Sequence, residues 1–489
     1  MATETSRIRY ALFALLALVG AQATAAQTAP ADPAEALADY VAKPDDAFEW
    51  HVQRRYTSPD ASVVELHLQS QRWQGEPWKH QLLIVRPKRV ADDRDAIVII
   101  GGGRWRDEYE AATGEEPLPE DAALFVAIAR VLKTPVVVLA QVPYQPLFGM
   151  TEDRLIAHSF ERYLATKDPE WPLLLPMVKS VVRAFDASSA FSEQEFGAPL
   201  ERFTVIGGSK RGWTTWLTAA VDRRVTAIAP IVIDALNMQK HFPHQTEAWG
   251  TPSESIKPYT DLGLDRILAS PEGEDLRQIV DPYSYRDKLT QPKLVILATN
   301  DQYFPLDSAN LYFGGLREPK YLLYLPNEPH SVKHYGPVVR GLRALHEAAS
   351  GGEPLPKLDW QYEVRDDGLT LCVGSKGARG VLLWRAVSAD RDFRDAHWES
   401  VVETRRSRGR FEVERPADGY VAVFGEVKYG ALLRAFSLST GLTVLAAEGN
   451  PPYGTEPIST AEVCSTIASA PLRVPSADGG DADFLSDQP

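Results

Sequence analysis

The order of hydrophobic and polar positions predicts alternating strands and helices over the first 350 residues. Residues 62–69 and 79–86 alternate apolar and polar side chains, which is typical of neighbouring antiparallel strands. The apolar run 96–100 predicts a buried central strand. Such alternation of strands and helices indicates a mostly parallel sheet covered on both faces. Further predicted elements are strands at 135–141, 203–206, 225–232, 293–299 and 321–325, and helices at 120–133, 153–166, 172–191, 210–221, 308–316 and 337–350.

Two later regions do not fit this alternation. Residues 234–291 are mixed in pattern and rich in aromatic side chains, which predicts an insertion over the sheet. After a Gly/Pro linker at 351–356, short alternating segments separated by turn residues predict a β-sandwich-like domain. The predicted units are an α/β domain at 46–350, an all-β domain at 357–445 and a C-terminal segment at 446–489.

Both ends of the chain are predicted to lie outside the folded part. Arginines, an apolar run at 10–20 and small residues at 23–26 form the pattern of a secretory signal peptide over residues 1–26. A membrane anchor is the alternative, but the run is shorter than the roughly 20 residues that span a bilayer. A linker and N-terminal segment at 27–45 follows, and the aperiodic tail from 470 is expected to be disordered. We therefore expect a periplasmic or secreted protein without membrane insertion.

Composition and charge narrow the class of protein further. A chain of 489 residues is longer than a single hydrophobic core usually supports. Its content of 44% hydrophobic and 24% charged residues is typical of a globular protein. The formal net charge of −14 would repel phosphate backbones, so the expected partner is a small-molecule or peptide substrate rather than nucleic acid. Export permits a disulfide between Cys372 and Cys464, but the sequence leaves their pairing and the oligomeric state open. Neither cysteine has metal-ligand spacing, and we find no cofactor motif.

The candidate chemistry begins at a glycine-rich turn after the predicted strand 203–206. Ser209 lies in the sequence GGSKRG, immediately before the predicted helix 210–221. The nucleophilic serine of an α/β-hydrolase occupies such a strand-to-helix turn, where the helix N-terminus faces the negative charge that develops. Arg211 replaces the second glycine of the common G-x-S-x-G pattern, and a serine here could also be a simple helix cap. Ser209 is therefore a candidate nucleophile whose partners must be found elsewhere.

A candidate acid and a candidate base follow two later strands. In this fold the acid follows the strand after the insertion, and the histidine follows the last parallel strand. Asp301 and His330 have these positions. Asp307, which could cap the next helix, and His334 are the alternatives. The chain order favours Ser209, Asp301 and His330 as a catalytic triad.

The other candidate site residues lie in two glycine-containing loops. An oxyanion hole would combine the backbone N–H of Lys210 with one from Gly102 or Gly103. Lys210 and Arg211 place two cations at a helix N-terminus, where they oppose the helix dipole. We therefore expect them to hold an acidic group of a substrate or an internal carboxylate. The candidate substrate-binding residues are Arg211, Trp213 and Arg104.

The segment around Ser209 resembles a known family. GGSKRGWTTWL, at 207–217, is similar to the corresponding segment of the exported, α/β-hydrolase-like PhoPQ-activated pathogenicity-related proteins. The resemblance runs over about residues 40–440 and implies the triad named above, but it leaves the substrate class open. The serine-lysine-arginine-glycine turn is also similar to the serine-arginine turn of glucuronoyl esterases, where the arginine that follows the serine helps at the oxyanion. Other segments that resemble the family lie at 70–73, 78–80, 230–237, 281–283, 299–304, 383–384 and 391–394.

Three functions are compatible with these observations. A serine hydrolase would cleave an ester or amide bond through an acyl-enzyme intermediate, as either an esterase or a peptidase. A secreted binding or signalling protein would keep the scaffold with little turnover and bind its partner through the β domain. A metal enzyme is the third, because His241 and His244 could share a helical face, although Pro243 disfavours a regular helix there.

Overall fold

The computed structural model describes residues 32–111, 114–374, 376–403, 408–448, 458–467 and 470–475. The predicted signal peptide lies outside the described residues, as does most of the predicted disordered tail. Within that tail, however, Leu472–Val474 forms a strand, so the expectation of disorder was wrong there. None of the helices in these ranges combines the length and the apolar character needed to cross a membrane.

Helices and strands alternate as the sequence predicts, with 3-10 turns between some of them. The helices are α1 Ala36–Ala42, α2 Glu108–Ala111, α3 Glu120–Leu132, α4 Glu152–Thr166, α5 Leu174–Phe196, α6 Lys210–Val221, α7 Met238–Trp249, α8 Lys257–Thr260, α9 Leu264–Ala269, α10 Glu274–Val280 and α11 Gly336–Ala349. The strands are β1 Glu49–Thr57, β2 Ala61–Trp73, β3 Glu76–Pro87, β4 Asp95–Ile100, β5 Gly114–Pro117, β6 Val136–Leu139, β7 Arg202–Gly208, β8 Val225–Ile231, β9 Lys293–Asn300, β10 Lys320–Pro329, β11 Asp359–Arg365, β12 Gly368–Gly374, β13 Gly380–Ser388, β14 Glu399–Val402, β15 Arg410–Glu414, β16 Tyr420–Tyr429, β17 Phe436–Ser439, β18 Thr443–Ala446 and β19 Leu472–Val474.

Six parallel strands form the centre of the main sheet, in the order β10-β9-β8-β7-β4-β6. Their consecutive residues are buried, which explains why these segments are continuous apolar runs rather than alternating ones. At one side β3, β2 and β1 continue the sheet with antiparallel pairing. The carboxyl ends of parallel strands share one edge, so the loops that follow β4, β7, β9 and β10 come close together there.

The C-terminal strands continue this sheet at its other side. β17 pairs antiparallel with β10 at Leu322 and Ser439, and β16, β13 and β14 extend the sheet beyond it. The second sheet has the order β11-β12-β15-β19. Its β12 faces β16, because a Cβ atom on Gly425 would lie 3.3 Å from the side chain of Leu371. The predicted β region thus contains two facing sheets, and one of them is hydrogen-bonded to the α/β part.

Three local expectations differ from the structure. The helix predicted at 308–316 is instead two 3-10 turns, Ser308–Leu311 and Phe313–Gly315, because two consecutive glycines disfavour a helix. The alternating segment 432–438 predicts a strand, but Leu432–Arg434 forms a 3-10 turn and the strand is Phe436–Ser439. Helix α7 runs through Pro243, although this proline was expected to disfavour a regular helix there. Its buried face, which includes Met238 and His244, offsets the cost of proline by packing.

Candidate active site

The turn between β7 and α6 holds Ser209 in an unusual backbone conformation. Ser209 has φ 55° and ψ −129°, which a residue other than glycine adopts only where the surrounding structure imposes it. Its N–H donates to the carbonyl of Ile231 at 2.8 Å. A Cβ atom would lie 2.5 Å from the Arg211 carbonyl oxygen at Gly207, and 2.9 Å from the Gly207 carbonyl oxygen at Gly212. The displaced glycine therefore permits the close approach between strand and helix that this turn requires.

The structure brings the three predicted triad residues into one hydrogen-bonded chain. His330 Nε2 lies 2.9 Å from Ser209 Oγ, and His330 Nδ1 lies 2.8 Å from Asp301 Oδ2. Asp301 is buried and follows β9, and His330 follows β10. The spacing suits proton transfer from the serine to the imidazole, with the carboxylate orienting the ring.

Two neighbours that the sequence analysis missed position this histidine. The side-chain oxygen of Gln302 accepts from the His330 N–H at 3.2 Å. The rings of Tyr303 and His330 have centroids 4.1 Å apart, and the Tyr303 N–H donates to Asp301 at 2.7 Å. Both residues adjoin Asp301 in the sequence, and only the return of β10 brings the histidine to them.

The alternative acid and base have other partners. Asp307 is buried between His244, at 2.7 Å, and Arg391, at 2.6 Å. Burial alone would raise the pKa of the Asp307 carboxyl group, but His244 and Arg391 hold it well below its ordinary value. The prediction that the Asp307 side chain caps the next turn was wrong. His334 is exposed and contacts Glu328.

Replacement of Asp307 by asparagine is expected to destabilise the protein by about 3–5 kcal/mol, because it removes the buried carboxylate that pairs with the Arg391 cation and with His244. The folded-state pKa of Asp307 is depressed, so the contribution of this carboxylate is present above its ordinary pKa and is lost as the pH falls below it. Denaturant unfolding at neutral and acidic pH measures both effects. Asp287→Asn is the control, since that exposed aspartate pairs with Arg317 at the surface and should change stability by less than about 1 kcal/mol. Equal unfolding free energies for the two variants would contradict this account.

Lys210 and Arg211 bind carboxylates of the protein itself. Lys210 Nζ lies 3.0 Å from Glu152 and 3.1 Å from Asp153, and Arg211 Nη2 lies 2.8 Å from Glu152. Arg211 Nε also donates to the carbonyl of Val142 at 2.6 Å. From the sequence, these cations were expected to hold either an acidic group of a substrate or an internal carboxylate, and in the structure they hold internal carboxylates. The two cations at the start of α6 face two carboxylates at the start of α4.

This cluster connects the loop after β4 to the first turn of α6. Gln145 Nε2 donates to the carbonyl of Gly103 at 3.0 Å and to Glu152 at 2.6 Å. A Cβ atom on Gly102 would lie 2.5 Å from the Arg211 guanidinium group, so any other residue there would displace this group. The Lys210 N–H belongs to the first turn of a helix, where amides lack intrahelical acceptors. Arg211 thus fixes the relative position of the two segments predicted to form the oxyanion hole.

We expect Arg211→Lys to lower kcat by about 100-fold with little change in KM, because the shorter contact cannot hold Glu152 and Val142 together and the oxyanion donors shift. Steady-state kinetics on an ester substrate measure the two constants separately. Arg224→Lys is the control, since Arg224 pairs with Asp222 and Asp186 instead. A rise in KM at constant kcat would instead indicate that Arg211 contacts the substrate.

The same cluster predicts acid sensitivity. Burial alone would raise the pKa of Glu152, but Arg211 and Lys210 lower it from 4.5 to about 2. Because the folded-state pKa is depressed, the stabilising contribution of Glu152 is complete above about pH 4.5 and is lost as the pH falls toward 2. In Glu152→Gln this part of the pH dependence of unfolding should disappear, as equilibrium unfolding at successive pH values would measure. An unchanged acid profile in the variant would contradict the assignment.

A cavity of about 50 Å³ lies beside Ser209. Of the candidate substrate-binding residues, Trp213 lines it, whereas Arg211 and the exposed Arg104 are not among its described lining residues. The predicted insertion, which contains α7 to α10, supplies much of the wall. The lining residues are Asp153, Phe160, Ser209, Lys210, Trp213, Ile233, Ala235, Met238, His241, Phe242, Ile256, Tyr259, Leu268, Tyr303 and Phe304.

The two histidines of α7 do not form a metal site with their neighbours. His241 and His244 are both buried, and His244 Nε2 is engaged with Asp307 at 2.7 Å. Within the part of the chain that the structure describes, no group of three or more histidine, cysteine, aspartate or glutamate side chains is placed to hold a metal ion.

The sheet order and the loops that carry serine, aspartate and histidine define an α/β-hydrolase fold with additional C-terminal β strands, as the sequence predicted. Within this class, the chain belongs to the PhoPQ-activated pathogenicity-related protein family, whose model matches residues 37–394. A curated relative is autocrine proliferation repressor protein A of Dictyostelium discoideum. It is 31% identical over 431 residues, which are 80% of this chain and 85% of the relative.

Solved structures also show similarity to this chain. Acetyl xylan esterase 1 from a Thermoanaerobacterium species is 14% identical, with a TM-score of 0.46, and the match covers 65% of this chain and 94% of that one. A puromycin-hydrolyzing peptidase of Mycobacterium tuberculosis is 18% identical, with a TM-score of 0.39, over 60% of this chain and 40% of the peptidase.

Proposed function

We propose that the protein is an exported serine hydrolase that cleaves an ester or amide bond through an acyl-enzyme intermediate. The observation that carries the proposal is the chain of contacts from Ser209 Oγ through His330 to Asp301, at 2.9 and 2.8 Å. A serine hydroxyl is a weak nucleophile, and an oriented base within hydrogen-bonding distance is what activates it. The strained backbone of Ser209 supports the same role, because it exposes the hydroxyl at the carboxyl end of β7.

The proposed reaction uses the groups in a fixed order. His330 Nε2 takes the proton of Ser209 as the oxygen attacks the carbonyl carbon, and Asp301 stabilises the resulting imidazolium. The backbone N–H of Lys210, with one from Gly102 or Gly103, would stabilise the oxyanion. His330 then gives its proton to the leaving group, and the acyl-enzyme remains. A water molecule, deprotonated by the same histidine, hydrolyses this intermediate.

An active-site serine probe tests the proposal directly. A fluorophosphonate should label the purified mature protein and should fail to label Ser209→Ala. Ser331→Ala is the matched control, because this exposed serine adjoins His330 in the sequence and should still permit labelling of Ser209. Equal labelling of wild type and Ser209→Ala would remove the assignment. A screen of acyl esters and peptide amides on the same preparation would distinguish esterase from peptidase.

Export to the periplasm or the medium is part of this proposal. It is supported by the signal-like pattern at residues 1–26 and by the disulfide between Cys372 and Cys464, since disulfides persist in oxidising compartments. We expect the exported protein to start near residue 27. N-terminal sequencing of the protein recovered from the medium or periplasm measures this. A chain that retains residues 1–26 and stays in the membrane fraction would instead support the anchor.

A secreted signalling protein is the second candidate, and the name of the relative, an autocrine proliferation repressor, favours it. Its partner-binding surface would include the loop between β16 and β17, where Leu432 and Leu433 are 94% and 86% exposed. Deletion of residues 357–445 is an unsuitable test, because β17 is hydrogen-bonded to β10. A biological effect that survives Ser209→Ala but is lost in Leu432→Ser/Leu433→Ser would favour signalling. The reverse pattern would favour hydrolysis.

A further inference from the structure

The cavity beside Ser209 contains a polar side chain that the proposed triad does not use. His241 is 1% exposed and lies among apolar lining residues such as Met238 and Phe242. Its Nδ1 is buried and has no hydrogen-bond partner among the described residues. Buried polar atoms in folded proteins nearly always have a partner, so an unpaired one in the wall of an active-site cavity points to a missing ligand.

The protonation state of His241 restricts what that ligand can be. Burial, with a smaller contribution from His244, lowers the pKa of His241 to about 3, so the imidazole is neutral. A neutral imidazole has one donor nitrogen and one acceptor nitrogen. His244 Nε2 is already engaged with Asp307. The group that completes His241 is therefore a hydrogen-bonding group, and a hydroxyl suits either tautomer because it both donates and accepts.

The cation and one tyrosine of the cavity wall are paired with carboxylates of the protein. Lys210 Nζ lies between Glu152 and Asp153, and Tyr259 donates to Asp153 at 3.1 Å. Burial, together with the Asp153 carboxylate, raises the pKa of Tyr259 well above its ordinary value, so its hydroxyl keeps its proton. A charged substrate group would lose its hydration here without gaining an unpaired opposite charge among these residues.

The position of the cavity indicates which part of the substrate it would hold. In the proposed reaction the leaving group must lie beside His330, which donates a proton to it. Ser209 and Lys210 line the cavity, and in the proposed reaction the serine oxygen bonds to the acyl carbon while the Lys210 N–H binds the acyl oxygen, so the acyl part of the substrate lies at this cavity. Since one water molecule needs about 10–15 Å³ of such space, 50 Å³ accommodates only a few non-hydrogen atoms.

We infer that the cavity binds the acyl part of the substrate, and that this part is a short, uncharged hydroxyacyl group whose hydroxyl hydrogen-bonds to His241. This inference rests on the proposed serine hydrolase function and defines its substrate class. His241 is then a specificity residue: it contacts the substrate but takes no part in proton transfer. A site built around such a hydrogen bond discriminates against the analogue that lacks the hydroxyl, because the buried imidazole is left unpaired.

Pairs of esters in which a methyl group takes the place of this hydroxyl test the inference. Methyl glycolate is compared with methyl propionate, and methyl lactate with methyl isobutyrate, in a pH-stat assay on the full mature protein. For each pair, the ratio of the two kcat/KM values is divided by the ratio of the two rates of hydroxide-catalysed hydrolysis. This division corrects for the different intrinsic reactivity of the two esters. We expect wild type to favour the hydroxyacyl ester by about tenfold or more, and His241→Phe to lose this preference. His241→Asn, which keeps a donor and an acceptor, should recover part of it. Methyl octanoate should react at least about tenfold more slowly than methyl propionate.

The outcomes separate this inference from the proposal on which it depends. Fluorophosphonate labelling of Ser209 in each variant reports whether the triad is intact, and thermal unfolding reports folding. A wild-type enzyme that labels normally but shows no preference for the hydroxyl overturns the inference alone, and this measurement needs no variant. A preference that persists in folded His241→Phe also overturns it. Failure of wild type to label at Ser209 overturns the proposed function, and the inference with it.

Discussion

Ser209→Ala is expected to lower kcat on the best ester substrate by about 10⁶-fold, because it removes the attacking oxygen and the proton that His330 would accept. Some turnover above the uncatalysed rate should remain, since the N–H groups predicted to form the oxyanion hole are unaffected. The thermal midpoint should change little. The hydrogen bond that the Ser209 hydroxyl makes is to His330, and the 2.8 Å bond from the Ser209 N–H to Ile231 does not involve the side chain.

The double variant Ser209→Ala/His330→Ala makes this prediction sharper. Residues that act as one unit lose activity non-additively, so the second replacement should cost almost nothing after the first. Steady-state kinetics on wild type, both single variants and the double variant measure this. Ser331→Ala should remain close to wild type. If Ser209→Ala keeps more than about one hundredth of the wild-type kcat, another group is the nucleophile.

The nucleophile turn shows what a local sequence can predict and what it cannot. Ser209 could be placed from the strand and helix that flank it, because both are determined by local patterns. The departure from the common glycine spacing weakened the motif, yet Gly212 is the residue that fits against Gly207. The carboxylates that bind Lys210 and Arg211 could not be located. They lie at the start of a different helix, and Glu152 precedes Arg211 by 59 residues. Only the folded sheet brings the two helices together.

The edges of the sheet were harder to predict than its centre for a related reason. Central strands are buried on both faces and are therefore apolar runs, whereas β1, with the sequence EWHVQRRYT, is partly exposed and lacks a clear pattern. The alternation of apolar and polar residues in β17 predicts a strand, but it does not predict which strand pairs with it. Its place beside β10 depends on the pairing of Ser439 with Leu322 and on the bond from the Tyr324 N–H to Ser439 Oγ at 2.9 Å. Such long-range pairing is not visible in a local pattern.

Asp301→Asn is expected to lower kcat by about 10⁴-fold while leaving the fold intact. Asp301 accepts from His330 Nδ1, and this keeps Nε2 free to take the serine proton. An asparagine amide would donate to Nδ1 instead, which favours the tautomer with a proton on Nε2 and prevents it from acting as the base. The Tyr303 N–H, which donates to Asp301 Oδ1, can still donate to the asparagine oxygen, so little stability should be lost.

Comparison with Asp307→Asn distinguishes the two aspartates that the sequence left as rivals. Asp301→Asn should unfold near the wild-type midpoint and turn over very slowly, whereas Asp307→Asn should be less stable but retain its kcat below its own unfolding temperature. Both quantities come from one preparation of each variant, by thermal unfolding and by ester hydrolysis at 15 °C and 25 °C. If Asp307→Asn instead lost about 10⁴-fold in kcat and Asp301→Asn less than tenfold, the acid would be Asp307. The carboxylate of a triad must contact the imidazole that serves the nucleophile. Since Asp307 contacts His244 and not His330, the hydrogen bond from His330 to Asp301 would then have no role in the reaction.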